Sequence, residues 1–165
     1  MTKANTWLAG AATAVALVIA GCGGGGYGSS APAAGGGGKA AGAGARVDSL
    51  ANPKLGKIIV DPAGRTLYDF PADKGTMSVC YGACASLWPP YVTKGAPKAG
   101  AGTSATLLGT TERRDGTTEV TYAGHPLYYY APDSKRGQTA GQALNQFGAP
   151  WYVLTPAGRE IHTRP

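Results

Sequence analysis

A motif that occurs twice in the chain constrains its fold more than any other feature. The segment LYDFPAD at 67–73 returns as LYYYAPD at 127–133. The shared positions are Tyr68, Phe70 and Asp73 in the first copy, and Tyr128, Tyr130 and Asp133 in the second. A tryptophan-containing segment follows each copy, at 88–92 and at 151–153. This repeat predicts a duplicated supersecondary unit in which each copy buries its apolar face against the other.

Most local patterns in the two copies favour β-strands and tight turns. In each copy a β-branched segment and an alternating segment flank a turn, which predicts hairpins over 57–70 and 119–130. Asp-Gly at 115–116 predicts a hairpin within 107–122, and Pro-Ala-Gly at 156–158 predicts a last one over 151–162. The remaining predictions are short helices at 82–87 and 139–146 and a surface loop at 94–105.

These elements together predict one mainly β domain. We expect two tandem hairpin-plus-short-helix repeats, the first over about 54–93 and the second over about 117–155. A C-terminal hairpin is expected to close this small domain.

The duplicated Tyr-x-[Phe/Trp/Tyr]-x-x-Asp motif resembles that of a family of bacterial lipoproteins known as the secreted repeat of unknown function. The resemblance covers about residues 54–160. It rests on the two motifs, the two tryptophan segments, the cysteines before Trp88 and the Gly-His-Pro-Leu-Tyr run at 124–128. It implies membership of the family and no particular activity.

The N-terminus carries a second specific pattern, which concerns location. Lys3 and the apolar run 8–20 precede Cys22, which closes the tetrapeptide Ile-Ala-Gly-Cys at 19–22. This is the order of a bacterial lipoprotein signal peptide over 1–21. Cleavage before Cys22 would leave a cysteine that carries diacylglycerol and a further acyl chain such as palmitate. An ordinary secretory signal and a permanent membrane span are the alternatives, but a span needs roughly 20 apolar residues. Lipidation of Cys22 also leaves Cys80 and Cys84 as an even pair.

After the signal peptide, composition divides the chain into a linker and a domain. Residues 22–45 are almost entirely Gly, Ala, Ser and Pro, which predicts a disordered linker that reaches about 25–30 Å from the lipid. Residues 46–165 are long enough for a globular domain with its own core. Gly23 replaces the Asp that typically retains lipoproteins at the inner membrane, so the outer membrane is favoured in a cell that has two.

Two interpretations of the repeated tyrosine and aspartate are open from the sequence. In a functional interpretation, Tyr68 donates to Asp73 in one pocket, and Tyr128 donates to Asp133 in another. In a structural interpretation, each tyrosine packs in the core while each aspartate accepts hydrogen bonds from the backbone of the following turn. Duplication favours the structural interpretation, because an active site rarely needs two identical copies.

Cys80 and Cys84 are predicted to form a disulfide, because paired thiols outside the cytoplasm are usually oxidised. An i, i+4 pair within one ideal helix would be strained, so we expect a turn at 81–83 between them. The alternatives are metal or haem ligation, which would need further ligands, and a redox-active pair.

Other residues give weaker chemical signals. Met77, His125 and His162 are ligand types that suit copper, but they lie far apart in the sequence, and an exposed turn histidine is the simpler interpretation of His125. The chain has no Gly-x-Ser-x-Gly motif of a serine hydrolase. If the tyrosines at 128–130 form a strand, at least one ring faces outward, where a glycan or small molecule could stack.

These features predict a lipid-anchored cell-envelope protein that acts as a non-enzymatic binding or structural module. No catalytic residue, metal or cofactor is assigned. The expected partners are the membrane, through the anchor, and another envelope protein, a wall polymer or a small ligand. The net charge of +6 comes from scattered basic residues, so no nucleic-acid partner is expected. The alternative function is an envelope redox or metal- or haem-binding protein that uses Cys80 and Cys84 or the His and Met residues.

Overall fold

Short strands, tight turns and one helix make up residues 44–164, the part of the chain that the computed structural model describes. Cys22, the predicted signal peptide and most of the predicted linker lie outside these described residues. The mainly β fold class is confirmed, and the sheets are small and do not close into a barrel. Within residues 44–164, no helix has the length and apolar composition that a membrane span requires.

Short elements follow one another closely along the chain. Up to residue 99 they are β1 (Arg46–Asn52), β2 (Gly56–Val60), β3 (Tyr68–Asp69), α1 (Ala83–Leu87) and β4 (Lys98–Ala99). A 3₁₀ turn at Ala105–Leu107 leads to β5 (Leu108–Glu112), β6 (Thr118–Tyr122), β7 (His125–Pro126), β8 (Asn145–Gln146), β9 (Ala149–Pro150) and β10 (Tyr152–Val153). They form sheets of order β2-β1-β4, β10-β3, β5-β6-β7 and β8-β9, with β1 and β4 parallel.

The two copies of the motif meet at their tyrosines. The backbone N–H of Tyr68 donates to the carbonyl of Tyr128 at 2.9 Å, and the N–H of Tyr128 donates to the carbonyl of Tyr68 at the same distance. Tyr68 also pairs with Val153 of β10, and Tyr128 pairs in the same way with Pro90. The tryptophan segment of each copy therefore covers the motif of the other copy, so the two copies are interlocked as the repeat predicts.

A stack of four aromatic rings fills the space between the copies. Its members, in order, are Phe70, Trp151, Trp88 and Tyr130. The successive ring centroids are 4.0, 3.9 and 4.4 Å apart. Phe70 corresponds to Tyr130 in the repeat, and Trp151 corresponds to Trp88. From either end, the stack therefore begins with the aromatic residue of a motif and continues with a tryptophan. Buried aromatic rings supply much of the apolar area in a core of this size.

Several predicted elements differ from the structure. The predicted helix over 139–146 is wrong, because the chain forms turns there and then β8. Ala143 has a φ of 58°, which an α-helix excludes. A Cβ at Gly141 would lie 2.6 Å from the ring of Trp88, so this segment lies directly against the aromatic stack. The predicted strand at 127–130 is reduced to bridges at Tyr128, β1 was not predicted, and the predicted loop contains β4.

Candidate cation-binding site

The repeated tyrosines and aspartates form hydrogen bonds between the copies. The hydroxyl of Tyr68 donates to Asp133 Oδ2 at 2.5 Å, and the hydroxyl of Tyr128 donates to Asp73 Oδ2 at 2.7 Å. The functional interpretation, in which each tyrosine donates to the aspartate of its own copy, is therefore wrong. Each aspartate also accepts a backbone N–H through Oδ1, from Val79 to Asp73 and from Ala140 to Asp133. These contacts join the two copies and hold the turns that follow the motifs.

A buried ion pair extends this network in one half of the domain only. Arg113 Nη1 donates to Glu119 Oε2 at 2.8 Å and to Ser78 Oγ at 2.6 Å. Ser78 Oγ in turn lies 2.7 Å from the hydroxyl of Tyr128. Arg113 Nη2 donates to the carbonyl of Cys80 at 2.7 Å. Because the guanidinium faces the Glu119 carboxylate, this part of the interior has its negative charge balanced within the protein.

The predicted disulfide between Cys80 and Cys84 is confirmed. Cys84 lies in α1, whereas Cys80 precedes the helix, and Gly82 between them has a φ of 56°. The pair therefore spans the start of the helix through a turn, as its spacing predicts. Both cysteines are buried.

Two equivalent positions in the copies carry different chemistry. Arg65 follows Gly64 as His125 follows Gly124, and Asp69 follows Tyr68 as Tyr129 follows Tyr128. Arg65 and Tyr129 are neighbours, and the guanidinium of Arg65 lies 3.9 Å from the centre of the Tyr129 ring. The hydroxyl of Tyr129 donates to Asp61 Oδ2 at 3.0 Å. Each polar group at this position thus has a partner inside the protein.

The corresponding position in the other half has a carboxylate without a hydrogen-bond partner among the described residues. Asp69 has a side-chain exposure of 0%, and neither of its carboxylate oxygens has a hydrogen-bond partner within residues 44–164. His125 Nδ1 lies 3.3 Å from Asp69 Oδ2, but the two groups are not aligned as a hydrogen bond. Buried polar groups nearly always have partners, so Asp69 needs an explanation.

A second carboxylate completes a cluster around Asp69. One ligand-type atom from each of Asp69, His125 and Glu160 lies within 4.8 Å of the other two. Asp69 comes from β3, His125 from β7, and Glu160 from the segment that pairs with Leu154 after the last turn. The turn before β7 is tight because Ala123 and Gly124 both have positive φ, of 52° and 87°, as in a type I′ hairpin. This turn places the imidazole of His125 beside β3.

The protonation states in the cluster follow from burial and from mutual attraction. Burial raises the pKa of Asp69 to about 6, although the neighbouring His125 lowers it. The Asp69 carboxylate in turn raises the pKa of His125. Asp69 is therefore mainly ionised at neutral pH. The buried carboxylate of Asp69 thus has the partly exposed His125 imidazole as its cationic neighbour, whereas Glu119 is paired with the buried guanidinium of Arg113.

The cluster lies at a pocket of about 320 Å³ that opens to solvent. Its lining residues are Phe70, Pro71, Asp73, Gly75, Ala123, Gly124, His125, Pro126 and Glu160. Asp73 adds a further carboxylate to the wall, and burial raises the pKa of Asp73 as well. The arrangement can attract a small cation and surround it with oxygen and nitrogen donors.

A family model described as a secreted repeat of unknown function matches the chain over residues 49–91 and 109–155. The chain belongs to this family. No curated protein and no solved structure matches it. The two matched stretches each contain one copy of the motif, and membership indicates an extracellular or envelope location for this secreted-repeat protein.

Sequence reasoning identifies only one member of the cluster in this secreted-repeat protein. His125 stands out with His162 and Met77 as a ligand type, whereas no motif draws attention to Asp69 or Glu160. Of the other two, His162 Nε2 lies 3.4 Å from Glu160, and Met77 lines a different groove. The available signal for Asp69 is strand alternation, which places it on the same face as the apolar Leu67. No sequence pattern distinguishes Glu160.

The predicted stacking surface at Tyr128–Tyr130 is engaged by the protein itself. Tyr128 is fully buried. Tyr129 packs edge-on against Tyr91, and Tyr130 packs on Trp88 at the end of the aromatic stack. These rings therefore contribute to the core rather than to an open face.

Proposed function

We propose that this secreted-repeat protein is a lipid-anchored cell-envelope protein that binds a cationic ligand and catalyses no reaction. Cys22 would carry the lipid, and the Gly- and Ala-rich residues 22–45 would separate the domain from the membrane. The pocket lined by His125 and Glu160, together with the buried Asp69 beside His125, would be the binding site. The single observation that supports the binding role is the buried carboxylate of Asp69, neither oxygen of which has a hydrogen-bond partner within the described residues.

The cost of burying this charge supports a ligand at the site. An ionised carboxylate removed from water without a partner loses several kcal/mol of solvation free energy. The fold does not require an acid at this position, because Tyr129 occupies the equivalent position with its hydroxyl bonded to Asp61. A cation in the pocket would supply the missing interaction and explain why an acid is placed there.

A redox role for the cysteines receives less support from the geometry. Thiol–disulfide exchange requires an attacking thiolate to reach one of the sulfurs. Cys80 is 1% exposed and Cys84 is 7% exposed. Arg113 also bonds the carbonyl of Cys80, so the disulfide is part of the buried network. This placement suits a structural crosslink.

Mass spectrometry of the full mature protein, extracted in detergent without chelator, tests both parts of the proposal. The N-terminal peptide should carry acyl chains on Cys22, and a free Cys22 thiol would overturn the anchor. Under native conditions the wild-type protein should show an added mass that disappears on denaturation, and the Asp69→Asn variant should lack it. If added metal ions and amines all leave the wild-type mass unchanged, the binding role is wrong.

A further inference from the structure

The donor atoms in the pocket identify a class of ligand. We infer that Asp69, His125 and Glu160 bind a divalent transition-metal ion, with Zn²⁺ as the best match; this inference rests on the proposed cation-binding function. It extends that function from cations in general to one chemical class and to three named ligands.

The spacing of the donors favours a metal ion over an organic amine. His125 Nδ1 and Asp69 Oδ2 are 3.3 Å apart. Two ligands of a tetrahedral zinc ion at about 2.1 Å from the metal are about 3.4 Å apart. Two acceptors around an ammonium nitrogen, each at about 2.8 Å, would be about 4.6 Å apart. The pair is thus already at the separation of two ligands of a zinc ion and is closer than two acceptors around one ammonium nitrogen would be.

Glu160 can complete the coordination with a small movement. The three donor atoms lie within 4.8 Å of one another, and its side chain is 23% exposed. Because this side chain is partly exposed, it is less constrained than that of Asp69 and can reorient towards an ion. Asp69 and His125 are on short strands, so the other two ligands are held by regular backbone pairing.

The chemical types of the donors narrow the choice of metal. Imidazole suits Zn²⁺, Cu²⁺, Fe²⁺ and Ni²⁺, whereas Mg²⁺ and Ca²⁺ prefer an all-oxygen environment. The cluster has one imidazole, two carboxylates and no sulfur, so it does not favour Cu(I). Three protein ligands leave one position of a tetrahedral ion open. That position would face the pocket, where water or a small anion can reach it.

Titration calorimetry of the untagged mature protein with Zn²⁺, Mn²⁺, Mg²⁺, Ca²⁺ and putrescine tests this inference. We expect one Zn²⁺ ion per chain and much weaker binding of Mg²⁺, Ca²⁺ and putrescine. The chain contains two histidines, so NMR can assign the imidazole that binds. Zn²⁺ should shift the ring signals of His125 and leave those of His162 nearly unchanged.

Matched variants separate the cluster from nearby side chains. Asp69→Asn, His125→Gln and Glu160→Gln should each weaken Zn²⁺ binding by at least about 100-fold, since even loss of an outer-sphere partner typically costs 10–100-fold. Asp61→Asn is the control and should bind like the wild type. His162→Gln removes a side chain that lies 3.4 Å from Glu160, and it should weaken binding far less than the loss of a ligand does. If Asp69→Asn does not fold, the half-exposed His125 still provides the test.

The outcomes distinguish this inference from the broader proposal. Tight binding of putrescine without Zn²⁺ binding would overturn the metal assignment while leaving a cation-binding role in place. Zn²⁺ binding that His162→Gln abolishes and His125→Gln preserves would also overturn it. If neither the metal ions nor the amine bind, the inference and the proposed function both fail.

Discussion

The two halves of the domain are alike where they touch each other and different at the equivalent positions 65 and 125 and at 69 and 129. At the contact, Tyr68 with Asp133 repeats Tyr128 with Asp73; both bonds are short, and the first is fully buried. At the neighbouring positions, Arg65 lies over the ring of Tyr129, whose hydroxyl donates to Asp61. The equivalent residues are His125 and Asp69, and the carboxylate of Asp69 has no hydrogen-bond partner within residues 44–164.

This difference separates architecture from candidate function. A contact needed to join two copies of a unit must occur in both, so its recurrence is explained by folding alone. A departure from the repeat has no such explanation, and one that leaves a buried carboxylate unpaired has a cost. Asp69 is therefore a stronger functional candidate than the motif residues, although the motif is the more visible pattern in the sequence.

The buried ion pair of Arg113 and Glu119 departs from the repeat. Its loss should have the largest effect on the free energy of unfolding. In Arg113→Met, Glu119 would remain buried without its cation, and the free energy of unfolding should fall by about 3–5 kcal/mol. Urea denaturation measures this change. The double variant Arg113→Met with Glu119→Leu should recover most of the loss, because no unpaired charge remains. A single variant as stable as the wild type would contradict this account of the pair.

High pH should lower the free energy of unfolding through the tyrosines that are hydrogen-bonded in the folded state. Burial and nearby carboxylates raise the pKa of Tyr68, Tyr128 and Tyr129. The folded state therefore keeps protons that the unfolded chain releases above pH 10, so stability is present below pH 10 and lost above it. Each tyrosine contributes about 1.4 kcal/mol per pH unit, or about 4 kcal/mol in total at pH 11.

Denaturation curves at pH 8 and pH 11 measure this loss, and Tyr129→Phe should reduce it by about a third. Near-ultraviolet absorbance provides an independent check, because the three buried tyrosines should ionise only as the protein unfolds. Ionisation of all nine tyrosines near pH 10 in a folded protein would contradict the prediction; the count of nine is that of the whole chain.

Sequence reasoning predicted the elements that depend on local pattern. The hairpin of β5 and β6 follows from Asp-Gly at 115–116, and the disulfide follows from the location and spacing of Cys80 and Cys84. The exchange of partners between copies was not accessible, because a repeat shows that two units are related but not which side chains meet. The helix predicted over 139–146 failed because tertiary contact of Gly141 with Trp88 outweighs local propensity. Glu160 reaches the site only through the last hairpin.

The two motif aspartates should differ in importance although their bonds are equivalent. In Asp133→Ala the buried hydroxyl of Tyr68 loses its acceptor, which should lower the free energy of unfolding by about 2–3 kcal/mol. In Asp73→Ala the hydroxyl of Tyr128 retains Ser78 at 2.7 Å, and the loss should be about 1–2 kcal/mol. Thermal or urea unfolding of both variants measures the difference.

A second substitution tests the cause of this difference. Adding Tyr68→Phe to Asp133→Ala removes the orphaned hydroxyl and should recover part of the lost stability. If Asp73→Ala is the more destabilising of the two single variants, the Ser78 contact does not substitute for Asp73 and the comparison of the halves must be revised.

The smallest predicted change is a gain in stability, and it concerns Asp69. In chelator at pH 8, Asp69→Asn should raise the free energy of unfolding by about 1–2 kcal/mol, because it removes a buried charge while preserving shape.

The pH dependence of this gain follows from the raised pKa of Asp69. A carboxyl group with a folded-state pKa of about 6 and an ordinary value near 3.9 in the unfolded chain disfavours folding above that range and ceases to do so below it. The gain should therefore be full above pH 6 and should disappear as the pH falls towards 4. Asp61→Asn is the matched control and should give no gain, because Asp61 already accepts a hydrogen bond from Tyr129. Destabilisation by Asp69→Asn at pH 8 would mean that His125 alone satisfies the carboxylate, and a cation would then not be needed to explain it.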